Sequence, residues 1–157
     1  MYNINDIADY IILKLKVEDE GSFFNNLKLQ KLLYYVQAWY LAFYNKPIFD
    51  AKFQAWVHGP VCKIIFDRFK NTKSIYSEIT INDIINKDAI NILAEEDRKH
   101  IDLIIEHYGH FSGTDLEYIS HQEEPWISAR KGFSPIERCE VEIDEDLMGS
   151  YYKKRLS

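Results

Sequence analysis

Residues Asn26–Tyr44 read NLKLQKLLYYVQAWYLAFY, and from Leu32 to Tyr44 only Gln37 is clearly polar. No Gly or Pro interrupts the run. Leu, Ala, Gln and Lys favour a helix of about five turns here over an unusually long strand. One stripe holds Leu29, Leu32, Leu33, Val36, Tyr40 and Phe43; a second holds Tyr34, Tyr35, Ala38, Leu41 and Ala42. A helix apolar nearly all round belongs inside a protein or inside a membrane. The run falls short of the roughly 20 residues a bilayer requires, and it would carry Gln37 and phenolic hydroxyls mid-span. The reading is a buried central helix against which the other segments pack.

The rest of the chain fits a globular protein around that helix. At 157 residues, 46% hydrophobic and 28% charged, residues 1–157 are expected to form one ordered domain with a sizeable core. Of eleven Tyr, nine Phe and three Trp most are expected in the core, and an excess of Tyr also suits a surface built for protein contacts. Nineteen basic residues against 25 acidic ones give a net charge of -6. That balance opposes binding to nucleic acid or anionic membrane, which depends on Lys and Arg neutralising phosphate. Cys62 and Cys139 make neither a disulfide framework nor a Cys-rich zinc site. The opening MYNINDIADYIILKLK carries acidic residues where a signal peptide would carry basic ones, so a soluble, cytoplasmic protein is expected.

Taken in order, Ile4 to Lys16 has apolar residues at helical spacing, and the polar EDEGSFFNN forms a link in which Asn25 or Asn26 can cap the central helix. Asn45-Lys46-Pro47 stops that helix. Phe53, Ala55 and Val57 alternate with Gln54, Trp56 and His58, which predicts a strand closed by Gly59-Pro60. Pro60 is then expected in the first turn of a helix burying Val61, Ile64, Ile65 and Phe69, with Lys63, Asp67, Arg68 and Lys70 in solvent. Thr80 and Asp83 suit a short helix start. Helical spacing returns from Asp88 to Tyr108 in one or two pieces, closed by Gly109. Thr114 and Glu117 form a capping box for a helix ending near Glu124, and Pro125 opens the short helix PWISARK. The tail offers a strand, RCEVEI, and a last helix from Asp144 towards Arg155. The fold expected is mainly α, with a buried central helix (about 26–44) and a small two-stranded β element (about 53–57 and 138–143).

Chemistry is harder to find. His100 and His107 would lie two turns apart, roughly 10 Å along the axis, too far for one ion held at about 2 Å. Gly109 separates His107 from His110, and neither HExxH nor a finger-type Cys pair is present. There is no GxSxG, GxxxxGK[ST] or GxGxxG. His58, His121, Glu123 and Glu124 are the residues from which a hydrolase would be built, by general acid–base work of a His with a carboxylate, but no nucleophile or oxyanion site accompanies them. The basic residues Lys63, Arg68, Lys70, Lys73, Lys153, Lys154 and Arg155 read as outer helix faces and a dipole-favoured C-terminal turn. The expectation is no enzyme, no metal and no cofactor.

Three pieces are distinctive in combination: LQKLLYYVQAWYLAFYNKPIF (Leu29–Phe49), FQAWVHGPVCKIIF (Phe53–Phe66) and LEYISHQEEPWISAR (Leu116–Arg130). Together they resemble the Panacea domain, also called SocA-like or phage-associated GepA-like. Glu124 stands where the family often has a small residue, and His58 where an aromatic is more usual. The resemblance implies an antitoxin of a type II toxin–antitoxin system. Such a protein would bind and block a toxin encoded beside it, including toxins that look like alarmone-synthetase-type nucleotide transferases. A variant of that role is an adaptor presenting the toxin to a ClpXP-type protease. Many members add a DNA-binding domain, and no separate one is expected here. The motif residues Gln30, Trp39, Trp56, Gly59, Pro60, His121, Gln122, Glu123, Pro125, Trp126 and Arg130 are expected to be scaffold. Partner contacts are expected from exposed aromatics and Arg, with Tyr76, Tyr118, Tyr151, Tyr152 and Arg155 as candidates.

Overall fold

The computed structural model describes residues 1–18 and 23–156; part of the expected link, residues 19–22, lies outside them. The described residues form eight α-helices, one 3-10 turn and one two-stranded hairpin, a mainly α architecture.

The central helix, α2 (Asn26–Tyr44), has the limits its sequence implies. The Asn25 side chain accepts from the Lys28 N–H at 2.9 Å and so satisfies one orphan donor of the first turn. At the other end Asn45 adopts a left-handed conformation, φ 57°, and its N–H returns to the Leu41 carbonyl. Sixteen of the 19 residues are buried, because α1 (Ile4–Glu18), α5 (Glu95–Tyr108), α6 (Gly113–His121) and α8 (Glu145–Lys153) all pack against α2. Phe43 and Tyr44, 45% and 49% exposed, depart from the all-round burial expected; they lie in the last turn.

The hairpin pairs β1 (Gln54–Trp56) with β2 (Gly59–Val61), in register Gln54–Val61, Ala55–Pro60 and Trp56–Gly59. This corrects two expectations. First, Pro60 is in a strand, not in the first turn of a helix; α3 (Lys63–Phe69) begins after Cys62. The two-residue turn makes Trp56–Gly59 a hydrogen-bonded pair, so Ala55–Pro60 is a non-bonded one and Pro60 loses nothing by lacking an N–H. Second, the partner of β1 in the hairpin is 59–61 and not 138–143. The tail segment instead lies on the opposite edge of β1 as an isolated bridge, Gln54 to Glu142. Two bonds hold it, Ala55 N–H to Val141 C=O at 2.8 Å and Ile143 N–H to Phe53 C=O at 2.7 Å. A longer ladder is cut short because Arg130 Nη1 occupies the Ala55 carbonyl, at 2.8 Å.

Other local readings shift by a few residues. The 3-10 turn Ile81–Asp83 has the expected Thr80–Asp83 capping box, but α6 is capped by Ser112 and Asp115 and not by Thr114 and Glu117. The 88–108 region splits into α4 (Ala89–Ile92) and α5, and Pro125 opens α7 (Glu124–Ala129). Ile64 is 47% exposed, whereas the Arg68 side chain, expected in solvent, is buried in an ion pair with Asp9 at 2.5 Å. Asp9 also accepts the backbone N–H groups of Ile85 and Asn86, so this carboxylate fixes the approach of the 3-10 region to α1.

Candidate interaction site at the hairpin

The polar residues of α2 do not face water. Four of them, Lys28, Gln30, Lys31 and Gln37, each fasten a different stretch of backbone to the helix. Lys28 Nζ donates to the Gly109 carbonyl at 2.5 Å, and Lys31 Nζ donates to the Pro60 carbonyl at 2.8 Å. Gln30 bonds both the N–H and the carbonyl of Cys62, and Gln37 does the same for the Ile48 N–H and the Phe49 carbonyl. A side-chain amide supplies one donor and one acceptor, so it closes onto a peptide edge as a neighbouring strand would.

Lys31 is the residue that the sequence reading passed over. It lies three and four positions before Tyr34 and Tyr35, on their face of the helix, and that spacing is the signal that could have marked it as interior. Its side chain is buried, and burial lowers its pKa to about 7, with the nearby Glu117 charge opposing the shift. Gly59 lies over it with φ 90°. A Cβ at Gly59 would come within 2.7 Å of Lys31 Cε and 2.8 Å of Ser120 Oγ, so this position requires glycine for both conformation and space.

The α6–α7 junction closes over the hairpin from the other side. Trp126 Nε1 donates to the Trp56 carbonyl at 2.8 Å, and His121 stacks on the Trp126 ring at 4.1 Å. The Arg130 guanidinium sits 5.1 Å from that ring and donates to the Ala55, Ser134 and Glu137 carbonyls. Burial depresses the His121 pKa, with Glu117 and a hydrogen bond to the Val57 backbone opposing it. Glu123 accepts the hydroxyls of Tyr35 and Tyr152 at 2.7 and 2.8 Å. Its carboxyl is nevertheless pushed up by burial, against those two hydrogen bonds. Pro125 is buried at the start of α7, Gln122 ends α6 with its own side chain exposed, and Trp39 Nε1 donates to Tyr108 Oη at 2.8 Å.

Of the residues from which a hydrolase would be built, His58 and His121 share the neighbourhood of Glu117, and each of the four has contacts of its own. His58 faces Glu117 at 3.3 Å and Tyr76 at 3.4 Å, His121 lies on Trp126, Glu123 is held by two tyrosines, and Glu124 accepts from Ser128. Ser120 Oγ is committed to the Glu117 carbonyl. Among the described residues, no three His, Cys, Asp or Glu side chains come together in a way that could hold a metal ion.

Of the expected partner contacts, Tyr76 and Tyr118 are open, 53% and 68% exposed. Tyr76 touches His58 in the hairpin turn, and Tyr118 follows Glu117, the other partner of His58, along α6. Tyr151 is half-buried beneath the Arg155 guanidinium, 3.6 Å from its ring centre. Tyr152 is a correction. It is 1% exposed because, with Met148 one turn earlier, it forms the inward face of α8.

Fold and site together define a helical domain whose buried polar groups hold its own backbone, with open aromatics around one hairpin turn. The chain belongs to the Antitoxin SocA-like, Panacea domain family, whose profile matches residues 29–127, from α2 into α7. Antitoxin SocA of Caulobacter vibrioides (strain NA1000 / CB15N) is 30% identical over 111 residues, covering 65% of this chain and 57% of that protein. The chain therefore spans little more than half of that relative. No solved structure matches. The resemblance carried by the three sequence pieces is thus borne out at the level of family. No helix among the described residues is long and apolar enough to cross a membrane.

Proposed function

We propose that this protein is an antitoxin of a type II toxin–antitoxin system, acting in the cytoplasm by direct contact with a protein toxin encoded beside it. The observation that carries the reading is membership of the SocA-like antitoxin family across the segment that builds the hairpin and its supports. A binding role is supported by the way Lys31, Glu123 and His58 near the hairpin are each held by internal partners. Tyr76 and Tyr118 are the proposed contacts, with Tyr151 and Arg155 at the end of α8 as further ones. The toxin class best matched to the resemblance is an alarmone-synthetase-like nucleotide transferase.

Co-expression with the neighbouring gene tests this. The neighbouring product is expected to be lethal alone and harmless beside this chain, and the two are expected to co-purify. A neighbour that is harmless alone, or still lethal beside this chain, would overturn the reading. An adaptor role shares the binding step but adds loss of the toxin, so it predicts a shorter toxin half-life when a ClpXP-type protease is present. An unchanged half-life beside full protection selects plain inhibition.

A further inference from the structure

The tail segment beside β1 leaves one backbone edge unused. Its two bonds to β1 come from Val141 and Ile143, so strand alternation turns the N–H and C=O of Glu142 outward. Residues 140–142 are exposed, and the N–H groups of Glu140 and Glu142 bond nothing among the described residues. Gln54 stands opposite Glu142 as an isolated bridge, and two residues further along each segment lie Trp56 and Glu140. Trp56 and Glu140 both line a groove of about 460 Å³, whose apolar wall includes Phe66 and Ile136. Ile136 is 88% exposed.

The charge along this edge is one-sided. Glu137, Glu140, Glu142, Asp144, Glu145 and Asp146 outnumber the cations near them: Arg138 pairs with Glu140, Lys52 with Glu145, Arg130 is spent on backbone carbonyls, and Lys63 in the groove wall pairs with Asp67. An open edge supplies hydrogen bonds to any extended chain, while side chains beside it select which one binds. We propose that the outer edge of residues 140–142 receives an extended basic segment of a protein partner as an added strand. Lys or Arg of that strand meets Glu140 and Glu142, and its alternate apolar residues meet Val141, 43% exposed on the opposite face. The proposal rests on the reading that the partner is a protein, and it names how that protein is held.

A capped heptapeptide of alternating Lys and Val is the first probe, followed through the amide resonances of Glu140 and Glu142. Both amides are expected to shift and saturate with peptide. A Glu-Val heptapeptide and an N-methylated Lys-Val one are expected to do nothing. Glu142→Pro removes the outward N–H but no internal bond, and should weaken binding about tenfold. Glu142→Lys, which keeps the backbone intact, should weaken it as much through charge. No shift at either amide, or undiminished binding by both variants, overturns the proposal and leaves an edge merely guarded by its carboxylates. In the co-expression assay, neutralisation with unchanged affinity by both variants overturns the edge while leaving the antitoxin reading intact. A harmless neighbouring product removes that reading, and the heptapeptide still decides the edge.

Discussion

At the scale of single residues, an amine placed under a hairpin is a costly choice. Lys31 is fully enclosed and its pKa is lowered to about 7, whereas in the unfolded chain it returns to roughly 10.4. Between those values the unfolded chain binds more protons, so folding stability rises with pH across that window. The slope should approach roughly 1 kcal/mol per pH unit between about pH 7 and pH 9. Urea unfolding at several pH values is the measurement, and Lys31→Met should flatten the curve there. Glu123 presents the opposite sign. Its pKa is raised in the fold, so its ionisation removes stability as pH climbs through the folded value. Glu123→Gln keeps an oxygen for Tyr35 and Tyr152 and should change neutral-pH stability by less than about 1 kcal/mol. Glu123→Ala leaves the buried Tyr35 hydroxyl without its acceptor, while Tyr152 keeps the Tyr34 hydroxyl at 3.2 Å, and should cost roughly 1–3 kcal/mol. Thermal melts of the two variants side by side distinguish the outcomes.

At the scale of elements, the hairpin depends on one conformation. Gly59 has φ 90° and stands against Lys31 and Ser120. Gly59→Ala combines backbone strain with overpacking and should destabilise by roughly 2–4 kcal/mol, visible as a shifted unfolding midpoint. That element also shows where sequence reading succeeds and stops. The limits of α2 were legible because Asn25, Asn45 and Pro47 are local signals with local causes. The first strand was legible from its two-residue period. The second strand was not, because Gly-Pro-Val reads equally well as a helix start; only the non-bonded pairing with Ala55 decides between them. Nor could local pattern show that Arg130, 75 residues after Ala55, takes the carbonyl that a longer tail strand would need. Charged residues read as solvent-facing by default, so Lys31 and Arg68 were missed for the same reason.

At the scale of the whole molecule, α2 is a spine sealed by elements from both ends of the chain. From the N-terminal side, α1 brings Ile4, Ile7, Ile11 and Ile12 into the same core. From the C-terminal side, α8 lays Met148 and Tyr152 against α2, where Tyr152 meets Tyr34, Tyr35 and Trp39 within 5.3–6.3 Å. A chain ending at Ile143 would expose that aromatic cluster and leave Glu123 with one hydroxyl partner. It should lose cooperative unfolding and bind a hydrophobic dye, as burial of a side chain of this size is worth about 1.5–3 kcal/mol. The family match stops at residue 127, short of α8, although the packing of α2 relies on it. Sequence likeness and mechanical completeness thus end at different places in this fold.

Both cysteines are enclosed, Cys62 at the start of α3 beneath Gln30 and Cys139 in the wall of the groove beside the hairpin. Burial also pushes the Cys62 thiol up, which further slows its reaction. An alkylating reagent can therefore reach either sulfur only while the chain around it opens. The native sequence carries two clocks of that breathing, one under the spine and one under the groove, and a bound partner that closes the groove would slow the second.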